Sequence, residues 1–263
     1  DQRALLLAAG GGALGLRKRT SNLFRDRAAA RPRIDLHGFD EVIEVDAGAG
    51  FVDAEGMTTY ERLADATLHA RAMPPVVPQL RSITLGGALA GVGIEASSFR
   101  HGLVHETVAA FDVLTADGRI VHCAPRGEHE ALFRGFPNSY GTLGYALAVQ
   151  ARTMPVRPFV ALEHCRYAGL PACVEAIAAQ LGAPSVDFLE AVAFSPEDVV
   201  LSSARFVDSA EAPSDYGYER IYWHSLRERV HDELAVRDYL WRWDTDWFWC
   251  SRNVGAERPW VRR

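Results

Sequence analysis

Val42-Ile43-Glu44-Val45-Asp46 alternates apolar and polar positions from Ile43 onward, and apolar residues resume at Phe51-Val52 after a turn holding Gly48 and Gly50. This pattern predicts strands within 34–52. The period then lengthens. Thr58-Thr59-Tyr60-Glu61 reads as a capping box, and Tyr60, Leu63, Ala64 and Leu68 follow at helical spacing, which predicts a helix with one face in a core. Pro74, Pro75 and Pro78 stop it. A second helix is expected near Thr84, with Thr84 as its cap. Phe111 to Thr115 and Arg119 to Cys123 form a hairpin pattern around Ala116-Asp117-Gly118, where Asp-Gly supplies the positive φ of a tight turn. A short helix is expected over 128–134, a loop of small residues over 135–144 and a strand over 145–154. Pro155 and Pro158 then mark a boundary between domains at 1–156 and 157–263. Beyond it the pattern predicts a helix over 171–181, strands over 186–194 and 199–206, and a loop over 210–218. An aromatic-dense tail follows with Tyr222, Trp223, Tyr239, Trp241, Trp243, Trp247, Phe248 and Trp249.

The least periodic stretch is 78–102, which holds five glycines: Gly86, Gly87, Gly91, Gly93 and Gly102. Glycine costs backbone entropy, so a cluster of it needs a reason. One is a loose surface loop. Another is close approach of the main chain to a ligand, with N–H groups at the start of the Thr84 helix facing a phosphate or a flat polar ring.

Composition narrows the class. The chain has 263 residues, 48% of them hydrophobic, enough for one large domain or two smaller ones. The net charge of −6 and the lack of a basic run argue against nucleic acid. Lys18 is the one lysine beside 27 arginines, a usage of high-GC genomes. Cys123, Cys165, Cys173 and Cys250 are scattered without a C-x-x-C, so neither zinc nor a disulfide framework is expected, which suits a reducing cytoplasm. No apolar run reaches the roughly 20 residues of a membrane span. The apolar run over 4–16 is followed, not preceded, by Arg17, Lys18 and Arg19, so it is read as a helix and turn rather than a signal peptide.

Several motifs have competing readings. Gly10-Gly11-Gly12-Ala13-Leu14-Gly15 matches G-x-G-x-x-G, with Asp35 beyond it, but the run before it is helix-prone and a strand is expected after it. A dinucleotide fold needs the reverse. Thr20, Ser21, Asn22 and Leu23 beside Lys18 and Arg19 make either a diphosphate cradle or an ordinary turn. Glu95 would disfavour a diphosphate and is expected toward solvent, ribose or substrate. Its competing roles are proton transfer and holding loop N–H groups. Tyr140 is either an acid or a packed loop residue. His101 and His105 lack a third metal ligand nearby. The aromatic tail is a core, a tunnel for a lipid tail or a membrane-surface patch; Asp244 and Asp246 argue against deep membrane burial.

The pattern Pro78…Thr84-Leu85-Gly86-Gly87…Gly91-Val92-Gly93 resembles the FAD-binding segment of the vanillyl-alcohol-oxidase (PCMH-type) flavoproteins. Residues 91–103 fit "GxGIExSSxxxGL" of the 24-dehydrocholesterol reductase family, and Gly141-Thr142-Leu143-Gly144 fits its "GTLG". The resemblance covers about 16–155, and the remainder more faintly. It implies an α+β fold: a two-lobed FAD-binding domain over 1–156, then the first part of a substrate cap over 157–263. The family's cap is longer, so the chain is expected to be truncated or to be completed by a second polypeptide. The resemblance places FAD against Thr20, Ser21, Asn22, Leu23, Pro78, Ser82, Ile83, Thr84, Gly86, Gly87, Gly91, Gly93, Ile94, Ser97, Ser98, Gly141 and Gly144. Ser21-Asn22 stands where many of these flavoproteins carry a histidine bonded to FAD, so non-covalent FAD is expected. It further implies NADPH as hydride donor and a lipid carbon–carbon double bond as substrate, in a sterol side chain or, as in actinobacterial relatives, a methylene fatty acyl chain of tuberculostearic acid synthesis. Glu95 and Tyr140 are the candidate proton donors; neither is assigned. A lipid methyltransferase partner and peripheral membrane contact by a cytoplasmic protein are compatible with it. An alcohol or sugar oxidase and a flavin-binding accessory subunit are the alternatives.

Overall fold

The computed structural model describes residues 15–17, 33–217 and 220–244. They fall into two compact units. The first takes the described residues up to Pro78, Ser82–Ile94 and Leu103–Met154; the second takes Gln79–Arg81, Glu95–Gly102 and the described residues from Pro155 onward.

In the first unit β1 (Gly15–Arg17) pairs in parallel with β2 (Arg33–Asp35). Gly15 therefore lies in a strand, where a dinucleotide fingerprint would be opening a helix. Then come β3 (Val42–Asp46), β4 (Phe51–Glu55), α1 (Tyr60–His69), β5 (Ala72–Met73) and α2 (Leu85–Gly91). The second unit's α3 (Ser98–His101) follows. A 3-10 turn at Val104–Thr107 leads into β6 (Val108–Leu114), β7 (Ile120–Cys123), α4 (Glu130–Gly135), β8 (Tyr145–Arg152) and the short β9 (Met154–Pro155).

The main sheet runs β3-β4-β8-β6-β7 and is antiparallel throughout. Val52 and Ala54 stand opposite Ala151 and Val149, and Phe111 faces Val149 and Cys123, so one face is continuously apolar. All of these side chains are buried. Burying each larger one is worth about 1.5–3 kcal/mol. The hairpin closes as its sequence requires, with Thr115 N–H donating to Arg119 O at 2.9 Å and Gly118 at φ 78°. The first helix begins one residue later than the capping box suggests. Thr59 Oγ1 accepts from Arg62 N–H, while Thr58 Oγ1 donates to Glu41 O at 2.9 Å.

The second unit holds β10 (Phe159–Tyr167), α5 (Leu170–Gln180), β11 (Phe188–Ser195), β12 (Asp198–Val207), α6 (Tyr222–Ser225), β13 (His231–Ala235) and α7 (Val236–Leu240). Its antiparallel sheet runs β11-β12-β10-β13. Helix α5 packs Cys173, Ala176 and Ile177 against Val199, Leu201 and Leu189 on one face. The opposite face presents Glu190, Ser202 and His164 in register.

The 78–102 stretch does not stay in one unit. Leu189 N–H donates to Ala96 O at 2.9 Å, and Arg100 donates to Ala183 O and Val186 O. These bonds place Glu95–Gly102 in the second unit, apart from the glycines before it.

Candidate functional site

The glycine stretch is stitched to the first unit's sheet through its own backbone. Tyr60 N–H donates to Ile83 O at 2.8 Å, Leu85 N–H to Thr58 O at 2.9 Å, Gly86 N–H to Gly56 O at 2.8 Å, and Gly56 N–H to Leu147 O at 2.7 Å. Thr84 caps α2 as expected, accepting from Gly87 N–H at 3.2 Å. Ala88 N–H completes the turn on Thr84 O. The first amides of this helix are thus spent on protein acceptors. The expectation that they face a phosphate or a polar ring is corrected: α2 shapes the surface and supplies no free donors. Gly86 answers to packing as well, since a Cβ there would lie 2.8 Å from Gly56 O. At Gly93 a Cβ would meet Val104 at 2.6 Å and Pro78 at 3.2 Å.

Past α2 the chain turns sharply. Val92 adopts a left-handed conformation with φ 63°, rare for a β-branched residue. Its N–H and that of Gly93 both return to Ala88 O. Gly93 O accepts from Val104 N–H at 3.0 Å. The second small-residue loop is held beside this turn. Tyr140 N–H donates to Ala90 O at 3.0 Å, and the Tyr140 ring lies 3.7 Å from where a Gly91 Cβ would be. That loop is strained in its own right: Asn138 and Tyr140 have positive φ, as do Gly141 and Gly144. Strain of this kind costs on the order of 1–3 kcal/mol per residue and collects at ligand sites. The joined turns expose Ile94 (67%), Tyr140 (52%) and Leu143 (43%). Within them Ser139 Oγ is buried and has no hydrogen-bond partner among the described residues.

The structure therefore brings together Gly91, Gly93, Tyr140 and Gly141, with Ile94, Leu143 and Gly144 on the same two turns. Pro78 is buried beneath them, Ile83 bonds to Tyr60, and Ser82 is exposed. Thr20, Ser21, Asn22 and Leu23 lie outside the described residues. Ser97 and Ser98 belong to the second unit, where Ser98 Oγ accepts from Glu95 N–H at 3.0 Å. Ser139 and Asn138 were not singled out from the sequence. Their signal was a polar pair just ahead of Tyr140-Gly141.

Glu95 does not point to solvent, ribose or substrate as expected. It is largely, not fully, buried in the second unit beside Arg242, which is itself 1% exposed. Arg242 grips Glu190 with Nη2 at 2.8 Å and Nε at 3.3 Å, donates Nη1 to Tyr239 O at 2.7 Å, and stacks 3.9 Å from the Tyr239 ring. Trp243 Nε1 and Tyr222 OH also donate to Glu190. Glu95 gets less: Ala96 N–H at 2.9 Å on Oε1, Arg242 at 3.8 Å, and, among the described residues, nothing on Oε2. Burial pushes its carboxyl up to about 7; Arg242 opposes this and Glu190 adds to it. In the described part of the aromatic tail Tyr222, Tyr239, Trp241 and Trp243 are buried core, while Trp223 is half-buried. Trp247, Phe248 and Trp249 lie outside the described residues. Cys123, Cys165 and Cys173 are free thiols, and no group of three metal-ligating side chains occurs among the described residues.

Helices packed with antiparallel sheets make this an α+β fold, consistent with an FAD-binding domain of the PCMH type. Residues 16–124 match the FAD binding domain family, and the chain carries such a domain. Within that class it is homologous to Delta(24)-sterol reductases. The human protein is 30% identical over 225 residues, covering 81% of this chain and 43% of the human one. The pea protein is 28% identical over 189 residues, covering 68% and 33%. The decaprenylphosphoryl-beta-D-ribose oxidase of Mycolicibacterium smegmatis is 28% identical over 129 residues, covering 46% and 26%. The chain spans less than half the length of these relatives.

The residues present fit an FAD. A flat ring system with a polar edge needs apolar side chains beside unspent polar groups. The paired turns offer Ile94, Tyr140 and Leu143, together with the orphaned Ser139 hydroxyl.

Proposed function

We propose that this chain is part of an FAD-dependent oxidoreductase that reduces a carbon–carbon double bond of a lipid, with NADPH as hydride donor. A methylene fatty acyl chain is the first choice of substrate and a sterol side chain the second. The observation that carries the reading is the union of two strained turns, 91–94 and 138–144, through the Tyr140–Ala90 bond, in a chain homologous to Delta(24)-sterol reductases. FAD, when bound, supplies hydride transfer that no amino-acid side chain can perform. The protein's part is to bind and orient it. Gly91 and Gly141 keep the main chain close, Gly93 and Gly144 let the two turns pack on the protein beneath them, Ile94 and Leu143 cover apolar ring surface, and Ser139 meets a polar edge. A lipid substrate suits work at a membrane surface, and no helix among the described residues is long and apolar enough to cross a membrane.

The purified protein is expected to be yellow and to release its flavin on acid precipitation, since no covalent link is proposed. NADPH should bleach the flavin absorbance anaerobically, and a methylene lipid should restore it. A colourless protein that takes up no added FAD defeats the proposal. The match to a decaprenylphosphoryl-beta-D-ribose oxidase favours a second reading, oxidation of an alcohol or sugar. Rapid reoxidation by oxygen and indifference to NADPH would select it. Lipid-dependent NADPH turnover that appears only with an added lipid methyltransferase would instead mark an accessory subunit.

A further inference from the structure

The second unit buries one guanidinium with two carboxyls. Arg242 is almost wholly inaccessible, and the side chains of Glu190 and Glu95 are 16% and 12% exposed. Glu190 takes the close contacts: two N–H groups of Arg242, the Trp243 indole N–H and the Tyr222 hydroxyl. Glu95 keeps the distant contact and an Oε2 without a partner among the described residues. One buried cation neutralises one carboxylate. A second carboxylate beside it is stable only while it holds a proton. Among the described residues no further cation acts on Glu95. Tyr239, on α7, stands beside Arg242, Tyr222 on α6 donates to Glu190, and burial lowers the pKa of His164 on β10.

Glu95 is joined by a peptide bond to Ile94, the last residue of the turn assigned to the flavin. We infer that Arg242 and Glu190 are positioning residues for that turn: they fix Glu95, and the proton shared within this one-cation, two-carboxyl cluster sets how firmly 91–94 is held. The inference rests on the proposed function for its link to flavin, but the cluster and its proton do not depend on it.

The sign follows from linkage. The Glu95 carboxyl is raised in the folded chain, so the cluster is most stable below the usual carboxylate range, loses stability as pH rises from there to about 7, and changes little above it. Local opening exposes Glu95 to solvent and restores its ordinary ionisation. Between pH 6 and pH 8 opening should then become about tenfold easier, most of it by about pH 7, because the opened carboxyl is already ionised there while the closed one still holds its proton.

The test is amide hydrogen exchange of the purified chain, without added flavin, corrected for the intrinsic pH dependence of exchange. The Val92 and Gly93 amides, both bonded to Ala88 O, report on the turn. In the unmodified protein their opening should rise about tenfold from pH 6 to pH 8. In Glu95→Gln, which keeps the shape and cannot ionise, it should stay flat. Glu175→Gln, on the exposed side of α5, should behave as the unmodified protein does. A flat profile in the unmodified protein, or an equal rise in Glu95→Gln, overturns the inference. If flavin binds, its dissociation constant should weaken by a similar factor over the same interval and not in Glu95→Gln; a pH-independent flavin affinity alongside shifting exchange overturns the positioning role. Failure to bind flavin at any pH would overturn the proposed function, while the exchange profile would still decide on the cluster.

Discussion

Replacing Gly144 by alanine is expected to destabilise the first unit by roughly 3–5 kcal/mol, close to the total that holds many domains folded. Two costs add. Gly144 has φ 133°, a region that side-chain-bearing residues rarely enter. A Cβ there would also lie 2.4 Å from Leu114 O and 2.7 Å from Val113 Cγ1. The first of these is backbone inside a paired strand, so it cannot swing aside. Gly38→Ala, in the same unit, is the control: nothing lies within 4 Å of its added Cβ, and the change should stay within about 0.5 kcal/mol. Urea unfolding of both variants decides the matter. Equal midpoints would show that the second loop is not fixed as described.

Removing the buried cation should cost nearly as much in the second unit. Arg242→Met keeps the bulk but leaves Glu190 and Glu95 buried without their positive partner, a loss of about 3–5 kcal/mol. Lysine should recover only part of it, because it lacks the planar fork that reaches Glu190 with two nitrogens and lies flat over Tyr239. Adding Glu190→Gln to Arg242→Met should regain a share, since the stranded charge is then gone. Additive effects in this double variant would show that the two residues are not coupled. The test is denaturant unfolding at neutral pH, and it needs no flavin.

These two positions also mark the range of what the chain discloses residue by residue. The hairpin ending in Cys123 was legible because its information is local: an Asp-Gly turn between alternating strands suffices. Thr84 was legible as a cap for the same reason. The first helix cap was misplaced by one residue because two adjacent threonines can both serve, and Glu41, in the strand region before them, takes one. The glycines of 78–102 were legible as a site but not in their separate duties. Gly86 and Gly93 make room for Gly56 and Val104, partners with no sequence proximity to announce them.

The candidate site divides the same way. Its glycines and Tyr140 stand out in the sequence, whereas Ser139 is marked only by a buried hydroxyl without a partner among the described residues. Glu95 sat inside a motif that pointed to ligand, and its carboxyl turned instead to an arginine near the far end of the chain. A lone arginine between Trp241 and Trp243 was the available hint.

Local chemistry was therefore enough to specify the elements, their caps and turns, the strand-rich core and the loops worth watching, because backbone preference and hydrophobic period act over a few residues. Which loops meet, which amides are already spent, and whether Glu95 faces water or Arg242 depended on contacts between distant segments. Such contacts are set by packing and by the cost of burying unpaired charge, and neither is written into any short stretch of the chain.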